Sequence, residues 1–230
     1  ALNSWNVFAD STLHVRDATG AIRSLRVPPV AAAAGDTVRI VGTRETVDGT
    51  PVLLNVLVNV VEEGFLPPVA TTVTADEATT ADGGALDASL VRMDSVVIQD
   101  TTRNALGERV LVVSDASGTA RVVLDGNVPF PLSFPSEIVG TSLDVTGLLV
   151  PGTTAGEWVV KPRGGSDIVV GPLSFPLVAV DAARARPPQT RLIIRGVALT
   201  STNVFGDSTL HVADETGAIR ALRVPLIPIA

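Results

Sequence analysis

Two histidines, His14 and His211, are the side chains best suited to acid–base or metal chemistry. Each lies between two aliphatic residues of an extended segment, so it faces away from the side that forms a core. We therefore expect both on the protein surface. Cysteine is absent, which excludes disulfides, thiolate metal sites and cysteine nucleophiles. No Gly-x-Ser-x-Gly elbow or Ser/His/Asp set is visible, and the sequence predicts no enzyme and no cofactor.

Three aspartates, Asp17, Asp115 and Asp214, each open a short turn that ends in glycine. Clustered carboxylates could bind calcium, which prefers oxygen ligands. Each turn, however, offers one or two carboxylates, far fewer than a calcium loop. We therefore expect these side chains to accept hydrogen bonds from their own turn amides and predict no metal site.

Arginines recur on the segments that follow these turns and could form a phosphate-binding strip: Arg23, Arg26, Arg121, Arg220 and Arg223. The net charge is −7, tyrosine is absent and aromatic residues make up 3% of the chain. Such a surface repels phosphates and offers few rings for stacking on bases. Nucleic acid is therefore not an expected partner. No apolar run is long enough to span a bilayer.

The segment around the first histidine occurs twice. Residues 1–28 return as residues 198–225 with 22 of 28 positions identical, since six differ. Residues 109–124 form a weaker third copy around Asp115. Such agreement indicates copies of one supersecondary unit. Alternating apolar residues on both sides of each turn predict three β-hairpins.

The other strands follow from the same alternation, and they indicate an all-β chain of small five-stranded barrels. We predict three domains: 1–66 lacks its first strand, 67–170 is complete, and 171–230 is a linker with a first strand and hairpin. A helical or 3-10 turn is expected at 28–34, capped helical turns at 76–78 and 181–184, and a fifth strand over 157–170.

The order of strand, hairpin, connector and two further strands, with closely spaced glycines in the first and fourth strands, is the plan of an OB-fold barrel. A more specific likeness is carried by 196–205 with the turn 214–220, by 35–42, and by 158–167. These segments resemble the tandem OB-fold modules of secreted and surface-attached bacterial proteins, some of which sit beside extracellular nuclease or phosphoesterase domains. The resemblance implies an extracellular or cell-surface location.

The split barrel suggests a function. A unit without its first strand and a fragment without its closing strands could complete each other between chains, giving a head-to-tail homopolymer, a filament or tube. Trp5, which the second copy replaces with Thr202, suggests a contact made by the N-terminal copy alone. The residues expected in this self-association are Ala1, Leu2, Trp5, Leu192, Ile193, Ile194, Val197, Leu199, Val224, Leu226, Ile227 and Ile229.

Two alternatives stay open. The chain could be an accessory OB module of a larger secreted protein or nuclease that holds nucleic acid or a glycan. It could also be part of a covalent array whose ends are arbitrary, with a structural role and no polymerisation.

Overall fold

The structure is a computed structural model that describes residues 1–64, 66, 68–130, 139–154, 156–173, 177–185, 192–200 and 209–221, with backbone alone for 172, 173 and 177. It divides into two compact units, residues 1–173 and 174–230. The predicted domains 1–66 and 67–170 thus belong to one compact unit. In the described part of the chain, no helix is both long and apolar enough to cross a membrane.

The first unit begins with a four-stranded sheet. Its strands are β1 (Leu13–Arg16), β2 (Ala21–Ser24), β3 (Thr37–Val47) and β4 (Thr50–Glu62), in the order β1-β2-β4-β3. Strands β1 and β2 form the predicted hairpin, β2 runs parallel to β4, and β3 pairs with β4 over most of its length. We call this element the N-terminal sheet. Both β1 and β3 are edge strands.

The segment 28–34 was expected to form a helical or 3-10 turn, and this prediction is wrong. Its backbone groups find partners outside the segment. The Ala32 carbonyl accepts the Trp5 amide at 2.9 Å, and the Ala33 amide donates to the Asp36 carboxylate at 2.8 Å. Because these tertiary bonds satisfy the backbone, nothing favours a local helical turn.

A closed barrel follows in the same unit. Its elements are β5 (Thr71–Thr72), α1 (Ala75–Thr80), a 3-10 turn (Ala81–Gly84), β6 (Leu90–Arg103), β7 (Arg109–Ser114), β8 (Thr119–Leu124), β9 (Thr141–Pro151), β10 (Trp158–Lys161) and β11 (Ile168–Leu173). Strand β6 pairs with β7, β7 with β8, β8 with β10, β10 with β9, and β9 with β6. This circuit closes the barrel. The predicted all-β class with a complete five-stranded OB-like barrel is confirmed.

One glycine permits the close approach of two barrel strands, β9 and β10. A Cβ atom on Gly147 of β9 would lie 2.7 Å from a methyl group of Val160 and 2.8 Å from the backbone of Lys161. Any side chain here would therefore push β10 away. The predicted fifth strand, 157–170, is correct at its two ends but is divided into β10 and β11 by a 3-10 turn at Gly165–Asp167.

The barrel strands are buried on both faces. Inward-facing residues such as Leu111 and Val122 belong to the barrel core. Outward-facing residues of the same strands, among them Val110 and Val123, form a second buried cluster together with Leu2 and Phe8 of the N-terminal segment. The outer wall of the barrel is therefore covered by the start of the chain.

The second unit repeats the first half of a barrel. It contains β12 (Leu177–Val178), α2 (Val180–Arg184), β13 (Ile193–Ile194), β14 (Val197–Ala198), β15 (Leu210–Asp214) and β16 (Gly217–Ala221). Strand β12 runs parallel to β13, and β14, β15 and β16 form an antiparallel sheet. The short helices predicted at 76–78 and 181–184 are present as α1 and α2, but their predicted caps are not: Thr74 caps α1, and the N-cap residue of α2, Ala179, makes no side-chain cap.

Candidate functional site

His14 is not on the surface, and that prediction is wrong. Alternation along β1 does turn Leu13 and Val15 into the core of the N-terminal sheet and His14 to the opposite face. That face, however, lies against the apolar outer wall of the barrel, and the exposure of His14 falls to 1%. Strand periodicity fixes the side of a residue but not what covers that side.

A cavity of about 240 Å³ lies between this face and the barrel. We call it the interface cavity. Its apolar lining is contributed by Phe8, Leu25, Val110, Val123, Val150 and Val159, and its ionisable lining by Asp10, His14, Arg23, Glu108, Arg121, Glu157 and Lys161. Leu106, which is 73% exposed, stands at the mouth. The walls combine aliphatic surface with a few polar groups, as small-molecule sites do.

Both ring nitrogens of His14 lack a hydrogen-bond partner among the described residues. The backbone of His14 is well held, because its amide donates to the Asn3 side chain at 2.7 Å and its carbonyl accepts the Leu2 amide at 2.8 Å. Burial, followed by the positive charges of Arg23 and Lys161, lowers the pKa of His14 from 6.5 to about 3. The imidazole is therefore neutral at physiological pH and offers one donor and one acceptor.

The cations around the cavity are all engaged by carboxylates. The Lys161 ammonium lies 2.6 Å from Asp125 and 3.5 Å from Glu108, and it sits 5.0 Å from the centre of the Phe8 ring. The Arg121 guanidinium lies 3.0 Å from Glu157. These pairs leave the cavity with little net positive potential.

Arg23 forms the deepest of these pairs. Its Nε lies 3.7 Å from Asp87, too far for a hydrogen bond, while Nη2 donates to the Thr50 hydroxyl. Burial lowers the pKa of Arg23 and raises the pKa of Asp87, and in each case the partner's charge opposes the shift. The Arg23 Nε and one Asp87 oxygen remain without a hydrogen bond among the described residues.

Two hydrogen bonds connect the N-terminal segment, residues 1–8, to the barrel. Arg163 donates to the Leu2 carbonyl at 2.6 Å, and the Asn127 amide donates to the Phe8 carbonyl at 3.2 Å. Arg163 is itself held by two hydrogen bonds to Asp167, at 2.8 and 2.9 Å. The N-terminal segment, which contributes Phe8 to the cavity, is thus held to the barrel by hydrogen bonds near both of its ends.

The turn aspartates act as predicted on their own turns. Asp17 accepts the Thr19 amide at 2.7 Å, Asp115 the Ser117 amide at 2.7 Å, and Asp214 the Thr216 amide at 2.8 Å. Side-chain hydrogen bonds from Thr19 and Thr216, the largest causes, lower the pKa of Asp17 and Asp214.

The sequence did not reveal a second role of two of these turns. The Asp115 carboxylate also accepts the first amide of α1, from Ala75, at 2.9 Å, and Asp214 accepts the first amide of α2, from Val180, at 2.8 Å. A carboxylate at a helix start satisfies an amide that has no partner within the helix. The signal was the repeated order of a short helix followed by a turn aspartate, at separations of 40 and 34 residues.

Of the arginines expected to form a phosphate strip, Arg23 and Arg121 line the interface cavity, and each faces a carboxylate. Arg26 is exposed, Arg220 lies on β16, and Arg223 falls outside the described residues. Sequence reasoning missed the carboxylates that pair with the cavity cations. A usable signal was Lys161, the single lysine of the chain.

The self-association residues of the N-terminal segment are partly engaged within their own chain. Leu2 is 4% exposed and packs on the barrel, and Trp5 packs on the core of the N-terminal sheet and donates to the Val27 carbonyl at 3.1 Å. Ala1 lines a groove of about 870 Å³ beside the edges of β1 and β3, together with Val15 and Val38. We call it the edge groove.

The self-association residues of the second unit are placed as follows. Ile193 and Ile194 are half-buried in β13, Leu192 precedes them, and Val197 and Leu199 are 72% and 58% exposed. Val224, Leu226, Ile227 and Ile229 lie outside the described residues. Their part in self-association stays a prediction.

Comparisons with known proteins concern the fold. No family model and no curated protein matches the chain. Among solved structures, a murine DNA-binding protein bound with double-stranded DNA is 12% identical, with 71% of this chain and 85% of that chain covered at a TM-score of 0.35. The p204 HINb domain is 13% identical, with 68% and 81% covered at 0.31.

A third similar structure is a putative aspartyl-tRNA synthetase from Leishmania major Friedlin, 12% identical, with 59% of this chain and 27% of that chain covered at a TM-score of 0.31. Likenesses of this size carry no conclusion about what this chain binds.

Proposed function

We propose that this chain is a non-catalytic OB-fold binding module whose ligand occupies the interface cavity. The observation that carries the proposal is His14, a fully buried imidazole that lines the cavity with both nitrogens unpaired among the described residues. A buried polar group without a partner costs about 1–3 kcal/mol, and buried polar groups in folded proteins nearly always have one. A ligand in the cavity would supply it.

The geometry also favours binding over catalysis. A general base works best when its pKa lies near the operating pH, whereas the pKa of His14 is about 3. The cavity carboxylates Glu108 and Glu157 are held by Lys161 and Arg121. The groups in the cavity are therefore arranged to hold a molecule in place. A secreted or cell-surface setting belongs to this proposal through the sequence resemblance alone.

Long-range ¹H–¹⁵N NMR of the histidine rings tests the proposal. The chain has two histidines, so His211 serves as an internal reference for His14. The probes are a neutral oligosaccharide mixture, a short single-stranded DNA and inorganic phosphate. We expect at least one probe to shift the His14 nitrogens and leave those of His211 in place, and His14→Leu to abolish its binding. If no probe moves His14, the binding function is refuted.

Self-assembly is a second candidate, and the edge groove favours it. Strands β1 and β3 are both sheet edges that flank this groove, and exposed edges pair readily with further strands. Residues 197–199 of the second unit show how a strand pairs with this type of hairpin. The Leu199 amide donates to the His211 carbonyl at 2.8 Å, as the Leu2 amide donates to the His14 carbonyl. A segment like 193–198 from a second copy, released from its own partners β12 and β15, could therefore pair with the part of β1 that follows His14, whose amide and carbonyl are already bonded to Asn3 and Leu2.

Light scattering after size exclusion, with negative-stain imaging, tests self-assembly. We expect open-ended assemblies of the chain, and shorter ones for the variant Ile193→Lys. Leu57→Lys, at a position 73% exposed on β4, is the matched control and should assemble as the original chain does. A particle with the mass of one chain at all concentrations would refute the filament.

A further inference from the structure

We propose that the interface cavity selects a neutral, hydroxyl-rich ligand of about one sugar ring and discriminates against phosphate-bearing and carboxylate-bearing ligands. This inference rests on the proposed binding function and names its ligand class. Charge pairing, hydrogen-bonding capacity, wall chemistry and size all support it.

The first argument is charge. An anion needs an unpaired cation or a group of amides, yet the three cations that line the cavity each face a carboxylate. The separations are 2.6 Å for Lys161 and Asp125, 3.0 Å for Arg121 and Glu157, and 3.7 Å for Arg23 and Asp87. An entering phosphate would have to displace a carboxylate that stays close by, and the two anions would repel each other.

The second argument is hydrogen-bonding capacity. The neutral His14 ring presents one donor and one acceptor, and Asp10 lines the same cavity with a carboxylate. One Asp10 oxygen accepts the Thr12 amide at 3.0 Å, and the other accepts no hydrogen bond from the described residues. A hydroxyl group donates and accepts at the same time, so adjacent hydroxyls can satisfy an imidazole and a carboxylate together. An unprotonated phosphate oxygen has no hydrogen to donate to a carboxylate.

The third argument is the wall. Val123, Val150 and Val159 line the cavity with aliphatic surface, which suits the C–H face of a sugar ring. The Phe8 ring is not available for stacking on a nucleic-acid base, because it is 4% exposed and already faces the Lys161 ammonium. The volume of about 240 Å³ is below the ~300 Å³ at which sites for drug-sized ligands begin. One ring, with the remainder of a chain outside the mouth, matches this space.

Low pH does not readily turn the cavity into an anion site. Burial and the positive charges of Arg23 and Lys161 lower the pKa of the His14 ring to about 3, in a cavity that is also lined by Asp10, Glu108, Arg121 and Glu157. The imidazole thus adds no positive charge over the range in which the protein would be studied.

Matched probes test the ligand class. The methyl glycosides of glucose, galactose and mannose are tested, and that of glucose is compared with glucuronate and glucose 6-phosphate, which carry the glucose ring with an anionic group at C6. We expect a neutral glycoside to shift the His14 ring nitrogens and to bind at least about tenfold more tightly than its anionic counterparts, the effect of about 1.4 kcal/mol. His14→Gln, which keeps a donor and an acceptor, should retain more binding than His14→Leu.

Asp10→Asn separates recognition from a merely structural effect. Removing this charge at the mouth should reduce the disadvantage of glucuronate, while the melting temperature stays near that of the original chain because Asp10 is exposed. If the anionic probes or inorganic phosphate bind more tightly than the glycosides, the ligand class is wrong and the binding function stands. If neither sugars, phosphate nor DNA shift His14, both fail.

Discussion

The buried histidine should make the stability of the first unit depend on pH. The pKa of His14 is 6.5 in an exposed setting and about 3 in the folded chain. Between these values the unfolded chain binds a proton that the folded chain does not. Stability therefore falls as the pH drops through this window, because protonation favours the unfolded state.

The size of the effect follows from the shift. At about 1.36 kcal/mol per pKa unit, the difference between the pKa values of His14 in the unfolded and folded chain corresponds to about 5 kcal/mol in the free energy of unfolding. At pH 4.5 this free energy is about 2.5 kcal/mol lower than at pH 7. Acid also removes the stabilisation of the folded chain that comes from carboxylates with a lowered pKa, among them Asp125 and Asp36. Their contribution is common to the original chain and a His14 variant, and it cancels in the difference.

Urea unfolding followed by tryptophan fluorescence measures this difference. The two tryptophans, Trp5 and Trp158, both belong to the first unit, so the signal reports that unit alone. His14→Leu should flatten the profile between pH 7 and pH 4.5, whereas His211→Leu, in the second unit, should keep it. A difference between the original chain and His14→Leu that does not change with pH would show that His14 is not buried neutral.

Three further predictions concern the barrel, and urea unfolding checks each. Asp115→Ala removes a helix cap as well as a turn and should cost about 1–2 kcal/mol, more than Asp17→Ala, which removes a turn alone; equal losses would contradict the cap. Gly147→Val places methyl groups against β10 and should cost about 1–3 kcal/mol; an unchanged midpoint would refute that close approach. Leu111→Ala opens a hole in the core and should cost about 3–5 kcal/mol, whereas Leu57→Ala, at an exposed position, should change stability by less than about 0.5 kcal/mol.

The sequence predicted most of the barrel because its signals are local. Alternating apolar residues and turn aspartates mark hairpins without reference to the rest of the chain, and the repeat allowed one copy to support another. The expected turn at 28–34 failed for the opposite reason. Its backbone groups form hydrogen bonds with Trp5 and Asp36, and the conformational preference of a short segment contains no information about such tertiary partners.

The interface cavity could not be predicted because its residues are distant in sequence. His14 and Lys161 meet only through the packing of the N-terminal segment on the barrel. Alternation placed His14 on the correct side of β1, yet the same pattern describes a solvated face and a covered one. The information that a barrel covers this side lies in the apolar outer residues of another segment, such as Val110 and Val123.

The two proposals use different parts of one hairpin, and this makes them separable. The interface cavity uses the face of β1 that carries His14, whereas the edge groove uses the backbone edge of the same strand, and Val15 faces the groove. A side-chain substitution at His14 leaves the edge amides and carbonyls in place, while a strand added at the edge need not enter the cavity. A result on one site therefore does not decide the other.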